Sequence, residues 1–241
     1  MTTLILGCGF VGKAYLKQSP QADFTRRALF SLQDKSSWQN VIAFGKKTKV
    51  LWTFPAAQSL EDIPLAIEFY KTVLETSQVV VLGTTSSYCV REKGEIIVES
   101  TPLKKNNFRA LAESALLKLG ATVLRLSGIF GEERQPLKWY KKGLVKNYGN
   151  FLNLIHLKDI LVAIDAVFSK NIRHEVFNLS TGDFKTHEDI VKTLVTRGEL
   201  TADFLKNQPI TMTSDNKRVS NEKSLKFLYE GHHNFVKYPP M

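Results

Sequence analysis

Short runs of apolar, β-favouring residues alternate along this chain with longer stretches whose apolar positions recur at helical spacing. That alternation predicts strands and helices in turn, the pattern of a parallel sheet wound with helices on both faces. The opening run, Thr2-Thr3-Leu4-Ile5-Leu6, reads as a strand leading into a helix over Val11 to Gln18. Ala22 to Thr25 reads as a second strand and Val41 to Phe44 as a third. Val50 to Phe54 reads as a fourth, stopped by Pro55. Leu65, Ile67, Phe69, Val73 and Leu74 follow at helical spacing. Gln78 to Leu82 is almost continuously apolar, as a strand buried on both faces must be. A helix over Arg109 to Leu119 ends at Gly120, and Thr122 to Leu126 reads as the next strand.

Beyond Gly128 the pattern loosens, with Gly131, Pro136, Gly143 and Gly149 marking loops. A helix over Leu157 to Phe168, a strand over Val176 to Leu179 and a helix over His187 to Arg197 can still be read. Thr186 is placed to cap that last helix, with Asp189 three residues on. No repeat, low-complexity tract or composition break demands an independent second domain. The expectation is one domain over residues 1–241, in which segments near 129–155 and 184–241 form a small C-terminal lobe. The tail from Gly231 is expected to pack back loosely.

Between the first strand and its helix stands Gly7-Cys8-Gly9-Phe10-Val11-Gly12. A G-x-G-x-x-G pattern means little alone, but a strand before it and a helix after it are the context of a dinucleotide-binding turn in a Rossmann-type α/β fold. Gly7 would make the tight turn, Gly9 would let the backbone approach a pyrophosphate, and Gly12 would let helix and strand sit close. The helix's first N–H groups and dipole would face the phosphates. At the end of the second strand an NAD site usually places an acid for the ribose 2′-hydroxyl. Here that position falls at Thr25-Arg26-Arg27, and paired guanidinium groups suit a 2′-phosphate. NADP is therefore the expected cofactor, with NAD as the alternative. Thr53, Phe54 and Pro55, at the carboxyl end of the fourth strand, stand where such a fold contacts the adenosine half.

The net charge of +10 and a pI near 9.5 agree with an anionic ligand. The basic residues are spread along the chain, clustering only at Lys46-Lys47, Lys104-Lys105 and Lys141-Lys142, so nucleic acid is not an expected partner. No stretch reaches the roughly 18 to 20 apolar residues of a membrane span, the opening apolar run is consumed by the glycine turn, and the two cysteines, Cys8 and Cys89, make a reduced, cytoplasmic setting the expectation. Cys8 and Cys89 form no metal-ligand pattern, and neither Asn153, His156 and Asp159 nor His232-His233 is spaced to hold an ion.

Several segments, in order, resemble the extended short-chain dehydrogenase/reductases, the NAD(P)-dependent epimerase/dehydratase group, and particularly its shorter atypical members. They are the glycine turn, Val81-Leu82-Gly83-Thr84-Thr85-Ser86-Ser87-Tyr88, Glu99-Ser100-Thr101-Pro102 and Leu124-Arg125-Leu126-Ser127-Gly128-Ile129-Phe130-Gly131. Asn153 to Asp159, Val176 to Ser180 and Lys217 to Asn221 complete the series. The resemblance implies that the loose C-terminal lobe holds a small-molecule substrate, and that a hydroxyl, a tyrosine and a lysine carry the chemistry beside the nicotinamide. Thr84 matches the hydroxyl position, with Gly83 beside it against the cofactor. Where the Tyr-x-x-x-Lys pair should stand, this chain has Lys105 and Arg109. Arginine can hold a ribose hydroxyl but cannot shuttle a proton at neutral pH. Tyr88 is the candidate for a displaced phenol. Two functions follow from the resemblance. One is an oxidoreductase or epimerase-like enzyme acting on a small hydroxyl or carbonyl substrate, sugar- or nucleotide-linked substrates included. The other is a catalytically reduced NADP-binding sensor or assembly factor.

Overall fold

The computed structural model of the protein describes residues 3–45 and 48–239, so Thr2 and the Lys46-Lys47 pair lie outside the described residues. The chain divides into two compact units. The first comprises Met1–Ser87, Leu103–Arg125 and Ile160–Phe177, and the second Tyr88–Pro102, Leu126–Asp159 and Asn178–Met241.

The first unit begins with β1 (Thr3–Leu6), α1 (Phe10–Gln18), β2 (Asp23–Phe24), α2 (Trp38–Ile42), β3 (Lys49–Trp52), α3 (Asp62–Phe69) and β4 (Gln78–Thr84). With α4 (Phe108–Lys118), β6 (Thr122–Leu126), α6 (Leu157–Ser169) and β9 (Val176–Leu179) they build a six-stranded sheet in the order β2-β1-β3-β4-β6-β9. The pairs β1–β2, β1–β3 and β3–β4 are parallel. Strands in such a sheet are covered on both faces, and Leu4, Ile5, Leu6, Val50, Leu51, Trp52, Val79, Val80 and Val81 are accordingly all buried. The fold class read from the sequence is the one observed.

One predicted strand is a helix. Val41 and Ile42 belong to α2, preceded by a 3₁₀ turn at Lys35–Ser37 whose first amide groups are capped by Asp34. A four-residue apolar run cannot reveal its own period. What decides it is the burial of Trp38 and Val41, three residues apart, with the Trp38 ring edge-on to Phe69 at 5.1 Å. Gly45, at φ +73°, ends the segment. β2 is therefore the edge of the sheet. The helix read through Leu74 is also interrupted, because α3 passes into a π-helical turn at Tyr70–Leu74.

The second unit contains β5 (Glu95–Ile97) paired with β10 (Lys217–Val219), and β7 (Gly128–Phe130) paired with β8 (Leu154–His156). It also holds α5 (Pro136–Lys141), α7 (His187–Thr196) and α8 (Glu222–Phe227). The predicted cap of α7 is present and complete: Thr186 accepts from Asp189 N, and Asp189 accepts from Thr186 N. Its core is rich in aromatic rings, with Phe130, Tyr140, Tyr148 and Tyr238 packed around Ile190, Val191 and Leu194. The tail is not loose. His233 Nε2 lies 2.9 Å from Asp159 Oδ1, Val236 N donates to Asp159 Oδ2, and Phe235 and Tyr238 are buried. Two aromatic anchors and a buried carboxylate hold a segment whose composition suggested a loose end.

Candidate functional site

The glycine turn follows from the first unit's own packing at two of its three positions. Gly7 lies at φ +89°, and a Cβ there would sit 2.9 Å from Thr53 Oγ1 and 3.0 Å from the Phe54 ring. Its N–H donates to Thr25 Oγ1 at 3.0 Å, while Thr53 Oγ1 donates to the Leu6 and Gly7 carbonyls. Gly12 carries the tightest demand, since a Cβ would stand 2.4 Å from the Gly7 carbonyl oxygen and 3.3 Å from Ile5. That is the close packing of α1 on β1.

Gly9 differs. Its φ is −77°, open to any residue, and a Cβ there would meet nothing within 4 Å. It precedes α1, whose N-terminus has neither a capping side chain nor an acid in its first turn. Backbone amides and a positive helix end are thus left facing open space, the donor set that binds a phosphate.

That space is a cavity of about 600 Å³. Gly7, Cys8 and Gly9 line one side, Arg26 and Arg27 another, and Phe54 and Pro55 a third. Lys13 adds a third cation, and no acid stands in the lining. Arg26 is exposed, its guanidinium 5.1 Å from the centre of the Phe24 ring. The donors and charges fit a phosphorylated dinucleotide: turn amides for the pyrophosphate, guanidinium groups for a ribose phosphate, and Phe54 and Pro55 for an apolar ring. Phe10, Val11, Gly12 and Thr53 do not line the cavity but shape the turn behind it. Lys13, Ser31, Gln33 and Gln58 also line it; Lys13 comes from the first turn of α1, and the other three come from loops and carry no sequence motif.

A second cavity of the same unit, about 520 Å³, opens at the start of α4. Arg109 and Lys104 line it with Ser86, Asn106, Asn107 and Gln58. Asn107 caps α4 by accepting from Ala110 N. At the end of β4, the Thr84 hydroxyl is 3.0 Å from Ser86 Oγ and accepts from Ser86 N. Gly83 is required by a buried neighbour, because a Cβ would lie 2.6 Å from Glu113 Oε1. Glu113 pairs with Arg125 at 3.0 Å, and both side chains are 4% exposed. Burial pushes the Glu113 carboxyl up, against the pull of the Arg125 and Arg109 guanidinium groups. Gly83 is thus committed to packing rather than to lining either cavity.

Tyr88 lies in the second unit and has no exposed surface. Its hydroxyl donates to Asn178 Oδ1 at 2.6 Å, and Asn178 N donates to Glu99. The three catalytic candidates therefore have different surroundings: Arg109 lines a cavity, Thr84 stands at a strand end beside Ser86, and Tyr88 is held inside a polar network. Among the described residues no group of three acids, histidines or cysteines could hold a metal ion, and no helix is long and apolar enough to cross a membrane.

No family model matches the chain. No curated protein matches it either. Solved structures do. A dTDP-glucose 4,6-dehydratase from Bacillus anthracis, in complex with NAD, superposes with a TM-score of 0.73 at 19% identity, over 95% of this chain and 91% of that one. A UDP-glucose 4-epimerase from Thermotoga maritima, with UDP-glucose, gives 0.68 at 14% identity, over 95% and 93%. RMD from Pseudomonas aeruginosa, complexed with NADPH, gives 0.65 at 14% identity, over 94% and 92%. The chain shares the fold of these three proteins.

Proposed function

We propose that the protein is an NAD(P)-binding oxidoreductase or epimerase-like enzyme that prefers NADP and acts on a small hydroxyl or carbonyl substrate. One observation carries the reading. Gly9 is a glycine that nothing in the protein's own packing requires, and it faces a cavity lined by three cations and no acid. A ligand pressed against the backbone explains both facts. Solved structures of the same fold were obtained with NAD and with NADPH, which supports a nicotinamide dinucleotide as that ligand.

In this reading the turn amides and Lys13 hold the pyrophosphate, and Arg26 and Arg27 hold a ribose 2′-phosphate. Phe54 and Pro55 flank the adenosine half. The bound nicotinamide supplies hydride chemistry. Arg109 and Lys104 orient and polarise a substrate oxygen from the second cavity, and Thr84 with Ser86 offers hydroxyl donors at the strand end. The phenol that would exchange a proton with the substrate is not among the groups lining that cavity. A dinucleotide-binding sensor or assembly factor, the second reading, would need no such phenol, and Tyr88 is fully buried.

Titrating NADPH and NADH by fluorescence tests the first premise. NADPH should bind more tightly, and R26A with R27A should cost it about a hundredfold through two lost charge-assisted contacts while changing NADH little. Equal losses would refute the 2′-phosphate assignment. A carbonyl and sugar-nucleotide screen with bound NADPH then separates enzyme from sensor.

A further inference from the structure

In the usual doubly wound order a further strand lies outside the second one. Here β2 is the edge of the sheet, the chain between β2 and β3 forms α2, and loop residues line the cavity on this side. Two loops supply them. The segment after β2 contributes Ser31 and Gln33, and the segment after β3 contributes Gln58.

One buried carboxylate joins them. Asp62, at the start of α3 and 5% exposed, accepts from Gln33 Nε2 through Oδ1 at 2.8 Å. Its Oδ2 accepts from Gln58 N at 2.7 Å and Ser59 N at 3.0 Å. The other end of the Gln33 amide, Oε1, accepts from the Ser31 hydroxyl at 2.8 Å. A continuous chain of hydrogen bonds therefore runs from Ser31 through Gln33 and Asp62 to the Gln58 backbone, and three of those four residues line the cavity. The bonds to Gln58 and Ser59 are local, within four residues, and alone would only finish a helix start. The bond to Gln33, 29 residues away, is what ties one wall to the other.

We infer that Asp62 is a positioning residue of the dinucleotide cavity, acting through Gln33 and the Gln58 backbone to hold the two loop walls against the adenosine half of the ligand. The inference rests on the dinucleotide reading of that cavity. A buried carboxylate held only by neutral donors is costly unless every oxygen is satisfied. The three donors are sufficient here. Burial raises the Asp62 carboxyl, but the bonds from Gln58, Gln33 and Ser59 outweigh it and keep the group below the usual carboxylate range. The wall is thus ionised and assembled throughout the neutral range.

The test uses 2′,5′-ADP, which carries only the adenosine half, alongside NADPH, on the full chain. Gln33→Met removes the cross-loop bond and leaves Asp62 Oδ1 without its donor, so the melting temperature should fall by a few degrees, and binding is measured where the circular dichroism matches wild type. Asp62→Asn sets an amide among three donors, and is measured at a temperature where its circular dichroism matches wild type. Both variants should weaken 2′,5′-ADP and NADPH by the same factor, about tenfold, as expected for loss of a bond to a charged group. An equal loss for fragment and whole ligand, in a chain whose circular dichroism is that of wild type, is a signature that a merely structural carboxylate would not produce. If Gln33→Met binds 2′,5′-ADP as tightly as wild type, the inference is overturned, whatever Asp62→Asn does. A wild type that binds neither ligand overturns the dinucleotide reading itself, so the two failures are distinguishable.

Discussion

The two compact units hold their chemistry in opposite ways. In the first, glycines and cations are turned toward open space: Gly9 faces a cavity, and Lys13, Arg26 and Arg27 line it without an acid among them. In the second, three tyrosines are turned inward. Tyr88, Tyr140 and Tyr148 are all buried, Tyr88 is bonded to Asn178, and Tyr140 shares a 3.0 Å hydrogen bond with His187. The contrast teaches where function should be sought. Polar groups that the fold has already satisfied are parts of the structure, and polar groups left facing a cavity await a ligand.

The comparison breaks most sharply if a buried group of the first unit can be removed cheaply. Glu113 and Arg125 are such a pair, lying beneath Gly83. Glu113→Ala should destabilise the protein by about 3 to 5 kcal/mol, because it removes the carboxylate that offsets a buried guanidinium charge. Glu113→Gln should cost less, since the amide oxygen can still accept from Arg125 Nε. Urea denaturation measures both. Near-equal stability of Glu113→Ala and wild type would mean that the pair is not the buried prop described here.

A similar magnitude is expected from pH in the second unit. Burial lowers His187 to about 4, from an ordinary value of 6.5. The unfolded chain therefore binds the proton more readily than the folded one. Stability contributed by the neutral ring is complete above pH 6.5 and falls as pH drops toward 4, by up to about 3 kcal/mol. His187→Phe should flatten that part of the stability–pH curve. An unchanged slope would place the acid sensitivity elsewhere.

Two glycines sharpen the contrast within the first unit. Gly12→Ala puts a methyl against a backbone carbonyl at 2.4 Å and should cost about 1 to 3 kcal/mol by overpacking. Gly9→Ala meets nothing and should leave the melting point unchanged or slightly raised, while dinucleotide binding is lost. Stability lost at both positions, or binding retained in Gly9→Ala, would remove the distinction on which the functional reading stands.

How much of this was legible in the sequence follows the same divide. The capping box at Thr186 and the Gly7–Gly12 contact of the glycine turn are local, so spacing describes their geometry. Val41 to Phe44 misled because a short apolar run has no readable period, and its helix is selected by the contact of Trp38 with Phe69, 31 residues away. The tail misled for the same reason: Asp159 holds it from more than seventy positions upstream. Ser31, Gln33 and Gln58 line the cavity from two loops that the Asp62 carboxylate bridges. Residues whose role depends on a distant partner leave no mark in spacing.

The smallest effect bears most directly on catalysis. Tyr88→Phe deletes one hydroxyl from a site with no solvent access, leaving Asn178 Oδ1 without the donor it has now. Asn178 Nδ2 already lacks a partner among the described residues, so the deletion falls on a network with little slack. A neutral hydrogen bond of this kind is worth about 1 kcal/mol, and the melting temperature should fall by a few degrees at most. If the protein turns over a carbonyl substrate, kcat should stay within a factor of two of wild type, because a phenol held at 2.6 Å by an asparagine inside the second unit is not free to exchange a proton with substrate. A fall in kcat of a hundredfold or more, with KM and stability unchanged, would instead make Tyr88 the displaced phenol. The inward-turned groups of the second unit would then have to be counted as chemistry after all.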